Sequence, residues 1–174
     1  FPESFRTILS PELIVRMADK IAGVSYIKLE DYPVLAKMSR IQRLAPDSIG
    51  IFGGLGGVYF LEELQRGSRG VMTGFAFPEV LVDVYEAFRV GDSGRAAALF
   101  DRYVPLIRYE FQPKIGLAYR KFVYHRRGII DSTFIRPPGL QIDDYTRAEL
   151  MAIIERVGFN LDISGVQPVD IATA

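Results

Sequence analysis

Three short apolar segments, Val24–Leu29, Ile49–Phe52 and Gly70–Thr73, each run within a few residues into a stretch of helical periodicity. That alternation constrains the fold more than any other feature. Strands joined through helices by short connections are the pattern of parallel βα units. Such units close as a (β/α)8 barrel or stay open as a doubly wound sheet. Three strands cannot close a barrel by themselves. The chain also begins at Phe1, without Met, and enters at once into FPESFRTILSPE, which reads as a loop between elements. The expectation is the C-terminal portion of a longer α/β protein.

The helices announce themselves by their ends. Ser10-Pro11-Glu12 is a helix start, with serine as cap, proline at the first helical position and an acid in the first turn. Leu13, Ile14, Met17 and Ile21 follow at helical spacing, and Gly23 stops the run. Tyr32 to Ala45 is predicted as helix, with Leu35, Met38, Ile41 and Leu44 on its apolar stripe and Pro46 and Asp47 ending it. Helices are predicted again over Val58–Gln65 and Pro78–Val90. From Ser93 only helices are expected: Arg95–Tyr109, kinked or split at Pro105; Lys114–Arg127; and a last one capped by Asp143 or Asp144 and running to Val157. This divides the chain into βα units over 1–92 and a helical extension of the same domain over 93–174.

Composition narrows the function. The 174 residues are 49% hydrophobic with no net formal charge, enough apolar material for a core and no basic excess to hold nucleic acid. No apolar run is long enough to span a bilayer, so neither a nucleic acid nor a membrane is an expected partner. The chain has no cysteine, which removes disulfides and thiolate chemistry and fits a reducing compartment; the cytoplasm is the expected location.

Lys28 is the residue with the most chemistry in it. Val24, Tyr26 and Lys28 alternate with Ser25, Ile27 and Leu29 in a pattern that suits a strand covered on both faces. An ammonium is costly to desolvate, and burial favours the neutral amine, which attacks carbonyls. The other reading is a strand-end lysine that snorkels its head group to water. GGLGG, from Gly53 to Gly57, matches no nucleotide-binding fingerprint. It suits a tight turn needing positive φ, or a strand end that leaves room for substrate beside the backbone. Phe75 and Phe77 suit packing, and Glu62-Glu63 suits a solvated helix face. His125, the sole histidine, lies near a helix end and is too isolated to build a triad or a metal centre.

In order along the chain these segments resemble one family. SYIKLEDYP is similar to the sixth-strand segment of the dihydrodipicolinate synthase and N-acetylneuraminate lyase family, usually GIKE followed by Ala or Ser. IGIFGGLGG resembles its seventh strand, where SGDD is common, and GVMTGFAFPE its eighth. The region from Ala96 to Ile130 resembles the C-terminal helical extension, and RPPGLQIDDYTRAEL the closing segment. The sequence departs from the family in places. Leu29 stands where the glutamate after the lysine is usual, with Glu30 one place later. GGLGG replaces SGDD, and of the YNxPxRTG segment Pro2 matches while Ser4-Phe5-Arg6 does not.

The resemblance implies a (β/α)8 TIM barrel of which strands six to eight are present. It implies that Lys28 forms a Schiff base with pyruvate or a 2-keto-3-deoxy sugar acid. It assigns substrate contacts to Gly53, Gly54, Met72 and Thr73, and puts the proton-relay tyrosine and carboxylate-holding threonines before Phe1. The iminium is itself the electron sink, so no metal or organic cofactor is needed. The expected activity is that of a class I aldolase-like lyase or synthase, with dehydratase or aldolase preferred, and the competing reading is a non-catalytic relative that binds or assembles. The C-terminal helices offer an oligomer interface, and a homo-oligomer is expected.

Overall fold

The structure is a computed structural model that describes residues 5–46 and 48–162. Pro2, Ser4 and Asp47 lie outside the described residues. The chain divides into two compact units, Phe1–Phe111 and Gln112–Ala174. The first carries the sheet and includes the long helix that follows residue 92.

That unit begins with helix α1 (Pro11–Lys20), started as its sequence requires: the Ser10 side chain accepts from the Leu13 N–H at 3.1 Å. Strand β1 (Tyr26–Lys28), helix α2 (Val34–Leu44), strand β2 (Gly50–Gly53), helix α3 (Phe60–Gln65), strand β3 (Gly70–Val71) and helix α4 (Pro78–Arg89) follow. The three strands form one parallel sheet in the order β1-β2-β3, so each βα unit lays its strand beside the previous one. Helix α5 (Ser93–Glu110) packs on α4.

The apolar stripe of α2 is rotated from the predicted one. Val34, Met38 and Ile41 are buried, while Leu44 is exposed. The spacing of four then three residues follows the face that meets α1 and the sheet, where Ile14, Ile49, Ile51 and Leu29 complete one core cluster. Helix α5 is a single helix through Pro105, neither split nor restarted. The missing N–H there forfeits one main-chain bond, which the packing of Phe100, Leu106 and Ile107 outweighs.

The second unit holds α6 (Gly116–Arg126) and α7 (Asp144–Arg156). Asp143 caps α7, accepting from the Thr146 N–H at 2.8 Å, and Leu150, Ile153 and Ile154 turn inward as their spacing predicts. His125 is exposed in the last turn of α6. Among the described residues no helix is long and apolar enough to cross a membrane.

Candidate active site

Parallel pairing aligns the C-terminal ends of the three strands. Lys28, the last residue of β1, is in register with Phe52, and Gly53 is in register with Val71. The ladder runs one step further at each seam: the Leu29 N–H donates to Phe52 O at 2.9 Å, and the Met72 N–H to Gly53 O at 3.0 Å. The five predicted site residues, Lys28, Gly53, Gly54, Met72 and Thr73, thus lie at or just after the C-terminal ends of the strands, along one edge of the sheet. Thr73 stands at the same edge two strands from Lys28. Its Oγ1 accepts from the Phe75 N–H at 3.2 Å, so its hydroxyl shapes the loop after β3.

The two-faced burial expected of β1 is not found. Tyr26 is 63% exposed and the Lys28 side chain 42% exposed, while Ile27 and Leu29 face the core. The physical reason is that β1 pairs on one side only, and no described element covers the face carrying Tyr26 and Lys28. Tyr26 instead packs against Phe52 of the neighbouring strand, ring centroids 5.5 Å apart.

Lys28 Nζ lies 3.4 Å from Glu30 Oε2. The other oxygen of Glu30 accepts from the Leu55 N–H at 3.1 Å, which ties the loop after β1 to the turn after β2. A hollow of about 240 Å³ opens beside them, lined by Thr7, Leu9, Lys28, Glu30, Asp31 and Lys37 among others. Two amines border it and they differ. Lys37, with its side chain 10% exposed, is held by Asp31 Oδ2 at 2.5 Å and by the Leu9 carbonyl. Lys28 has one carboxylate among the described residues, Glu30, and its side chain is partly open to solvent.

The glycine turn divides its work. Positive φ is needed at Gly56 (68°) and Gly57 (84°), and Leu55 shares that region at 45°. Gly53 and Gly54 serve a different purpose, close approach. A Cβ on Gly53 would lie 1.7 Å from Glu63 Oε2, and one on Gly54 would lie 2.2 Å from Glu30 Oε1. Two carboxylates therefore occupy the space that two missing side chains leave.

Glu63 corrects the solvated-face reading of Glu62-Glu63. It is 0% exposed, on the buried side of α3 with Phe60 and Leu64. Neither of its oxygens has a hydrogen-bond partner among the described residues. Burial, then the charges of Glu62 and Glu30, pushes its carboxyl up to about 7. A second buried acid, Glu110 of α5, accepts from the Ala76 N–H at 2.9 Å and fixes the loop in which Phe75 and Phe77 are buried. Sequence reading missed both acids. The available signal was their place in an apolar stripe: Glu63 falls three residues after Phe60, and Glu110 three after Ile107.

The profile of the dihydrodipicolinate synthetase family matches residues 1–157. The chain belongs to that family. Among family relatives, an L-2-keto-3-deoxyarabonate dehydratase from Azospirillum brasilense is 34% identical over 152 residues, covering 87% of this chain and 49% of the relative. The crystal structure of a dihydrodipicolinate synthase from Rhodopseudomonas palustris superposes with a TM-score of 0.84 at 34% identity, over 90% of this chain and 53% of that one. A prophage protein of the dihydrodipicolinic acid synthase family from E. coli, solved in complex with pyruvate, has a TM-score of 0.72 at 18% identity and shows the fold alone; it is matched over 92% of this chain and 55% of its own. The chain spans about half the length of these relatives. Its three βα units are therefore those of a family whose solved members share this arrangement.

Proposed function

We propose that this chain supplies strands six to eight, and the Schiff-base lysine, of a (β/α)8 lyase that acts on pyruvate or a 2-keto-3-deoxy sugar acid. The observation that carries the reading is Lys28 at the C-terminal end of a parallel strand, the end where barrel enzymes build their sites, with Glu30 3.4 Å from its nitrogen. Family membership and the similarity to a keto-deoxy sugar acid dehydratase support the reaction class.

In this reading the neutral amine of Lys28 adds to the C2 carbonyl of the substrate, and the carbinolamine loses water to give an iminium. The iminium withdraws the electron pair left when a C3 proton is removed, which produces an enamine. Departure of a C4 hydroxyl with a proton completes a dehydration. Cleavage of the C3–C4 bond from the same iminium would be the aldol route. Hydrolysis of the imine returns the amine. Glu30 is within reach to exchange protons with the lysine nitrogen, and its bond to the Leu55 N–H orients it for that exchange. Gly53, Gly54, Met72 and Thr73 are the substrate contacts of the proposal, at the ends of β2 and β3. A homo-oligomeric cytoplasmic enzyme is the assembly that goes with this function.

Borohydride trapping in the presence of pyruvate, followed by peptide mass mapping, tests the assignment. An adduct on Lys28 and none on Lys37 is expected; an active preparation trapped anywhere but Lys28 would end it. The 174 residues alone are expected not to turn over, because among the described residues β1 and β3 each have one strand neighbour and the Lys28 face lies open. Comparable turnover by this chain and by one extended upstream of Phe1 would show that three strands suffice.

A further inference from the structure

Glu63 has no part in the chemistry above, yet it is a fully buried acid at the edge that carries Lys28, and neither of its oxygens has a partner among the described residues. Leaving such a group in a core is costly unless it is neutral or in use. Its position relative to Glu30 is specific. Gly53 and Gly54 are consecutive; Glu63 fills the side-chain space of the first and Glu30 that of the second. The two carboxylates straddle one turn of backbone, Glu63 reaching in from α3 and Glu30 from the loop after β1. We propose that Glu63 is a positioning residue of the lysine site, acting through Glu30 across the Gly53–Gly54 backbone without touching substrate. The inference rests on the Schiff-base reading of Lys28 for its consequence in catalysis, but not for the coupling of the two acids.

The charges that act on Glu63 are those of Glu62, beside it on α3, and Glu30, which itself faces Lys28. Burial, the larger cause, keeps Glu63 protonated up to about pH 7. Below that pH the Lys28–Glu30 pair has no extra charge behind it. Above it, a second negative charge in a dry layer repels the Glu30 carboxylate across the turn and weakens its placement between the Leu55 N–H and Lys28. Glu63 thus sets an upper pH limit on imine formation. The coupling is reciprocal: whatever Glu63 does to Glu30, Glu30 must do to Glu63.

Two measurements on the full-length protein test this. The first is the infrared C=O band of a protonated carboxylic acid, followed against pH and assigned by its loss in Glu63→Gln. We expect a midpoint near 7, moved down in Glu30→Gln, the direction set by removing a like charge from nearby. The second is the pH profile of imine formation with pyruvate. The wild type is expected to lose rate as pH rises through about 7. Glu63→Gln, which mimics the protonated acid, is expected to lack that fall while trapping on Lys28 persists. An infrared midpoint unmoved by Glu30→Gln overturns the proposal, as does a fall in rate identical in wild type and Glu63→Gln. If Glu63→Gln does not fold, the displacement of the band in Glu63→Asp assigns it, and the Glu30→Gln titration then decides. Failure of Lys28 to trap in the wild type would instead overturn the lysine reading, with the coupling of the acids still judged by the infrared shift.

Discussion

Glu30 and Glu63 occupy neighbouring places at one sheet edge and live under opposite conditions. Glu30 is on a loop at the open face; it faces an ammonium at 3.4 Å and accepts a main-chain N–H at 3.1 Å. Glu63 is on a helix against the closed side of the sheet, is 0% exposed, and has neither kind of partner among the described residues. The same side chain is therefore a fixed counter-charge in one place and a proton store in the other. The difference teaches that at this edge the sheet separates two dielectric environments across the thickness of one strand, and that glycine at positions 53 and 54 admits a carboxylate on each side.

The largest expected effect breaks the open side. Lys28→Arg keeps the charge beside Glu30 but replaces the amine with a guanidinium that stays protonated and cannot attack a carbonyl. Borohydride adduct with pyruvate should fall below detection by mass mapping. Adduct at wild-type yield would mean the nucleophile lies elsewhere.

Next comes a contrast between the glycines. Gly53→Ala drives a methyl group into a carboxylate that has nowhere to go, and is expected to cost about 3 kcal/mol of unfolding free energy, the upper range for overpacking. Gly54→Ala presses on Glu30, which can swing towards solvent at the loss of one hydrogen bond, about 1 kcal/mol. Denaturant unfolding measures both. Adding Glu63→Ala to Gly53→Ala should recover most of the first cost, since the two sites are in contact. Equal costs at the two glycines would erase the distinction between the closed and open sides.

A comparable effect depends on pH. The carboxyl of Glu63 is raised from 4.5 to about 7, so the folded state holds its proton more tightly than the unfolded state. The stability that proton brings is fully present below the unfolded value and is lost as pH rises through the folded one. The wild type should therefore lose roughly 3 kcal/mol relative to Glu63→Gln between about pH 4 and pH 8, each tenfold difference in proton affinity being worth ~1.4 kcal/mol. Parallel stability curves for the two proteins would remove the buried-acid side of the comparison. The smallest effect is a control away from both acids: Ser10→Ala, which deletes the α1 cap, should cost about 1 kcal/mol and leave the pH dependence unchanged.

What could be read from sequence was what depends on neighbours along the chain. Ser10, Pro11 and Asp143 start helices, Gly56 and Gly57 turn the backbone, and short links between strands and helices dictate parallel pairing. Lys28 was legible because a lysine in an apolar alternation is chemically conspicuous. The burial of Tyr26 and Lys28 was not, because alternation tells which residues share a face and not whether anything covers that face. The rotated stripe of α2 has the same origin: Leu35 and Val34 are equally apolar, and the angle at which α2 meets α1 and the sheet selects Val34. Glu63 was hidden more deeply. Charge beside charge in Glu62-Glu63 suggests solvent, and what overrides that is the inward turn of α3 against a strand end with no side chain at Gly53. Sequence alone determined the βα order and the helix starts, which follow from local backbone preference, and it singled out Lys28 as the candidate amine by side-chain chemistry. Tertiary structure alone decided which of two adjacent acids is dry, because desolvation is a property of everything packed around a group and not of its place in the chain.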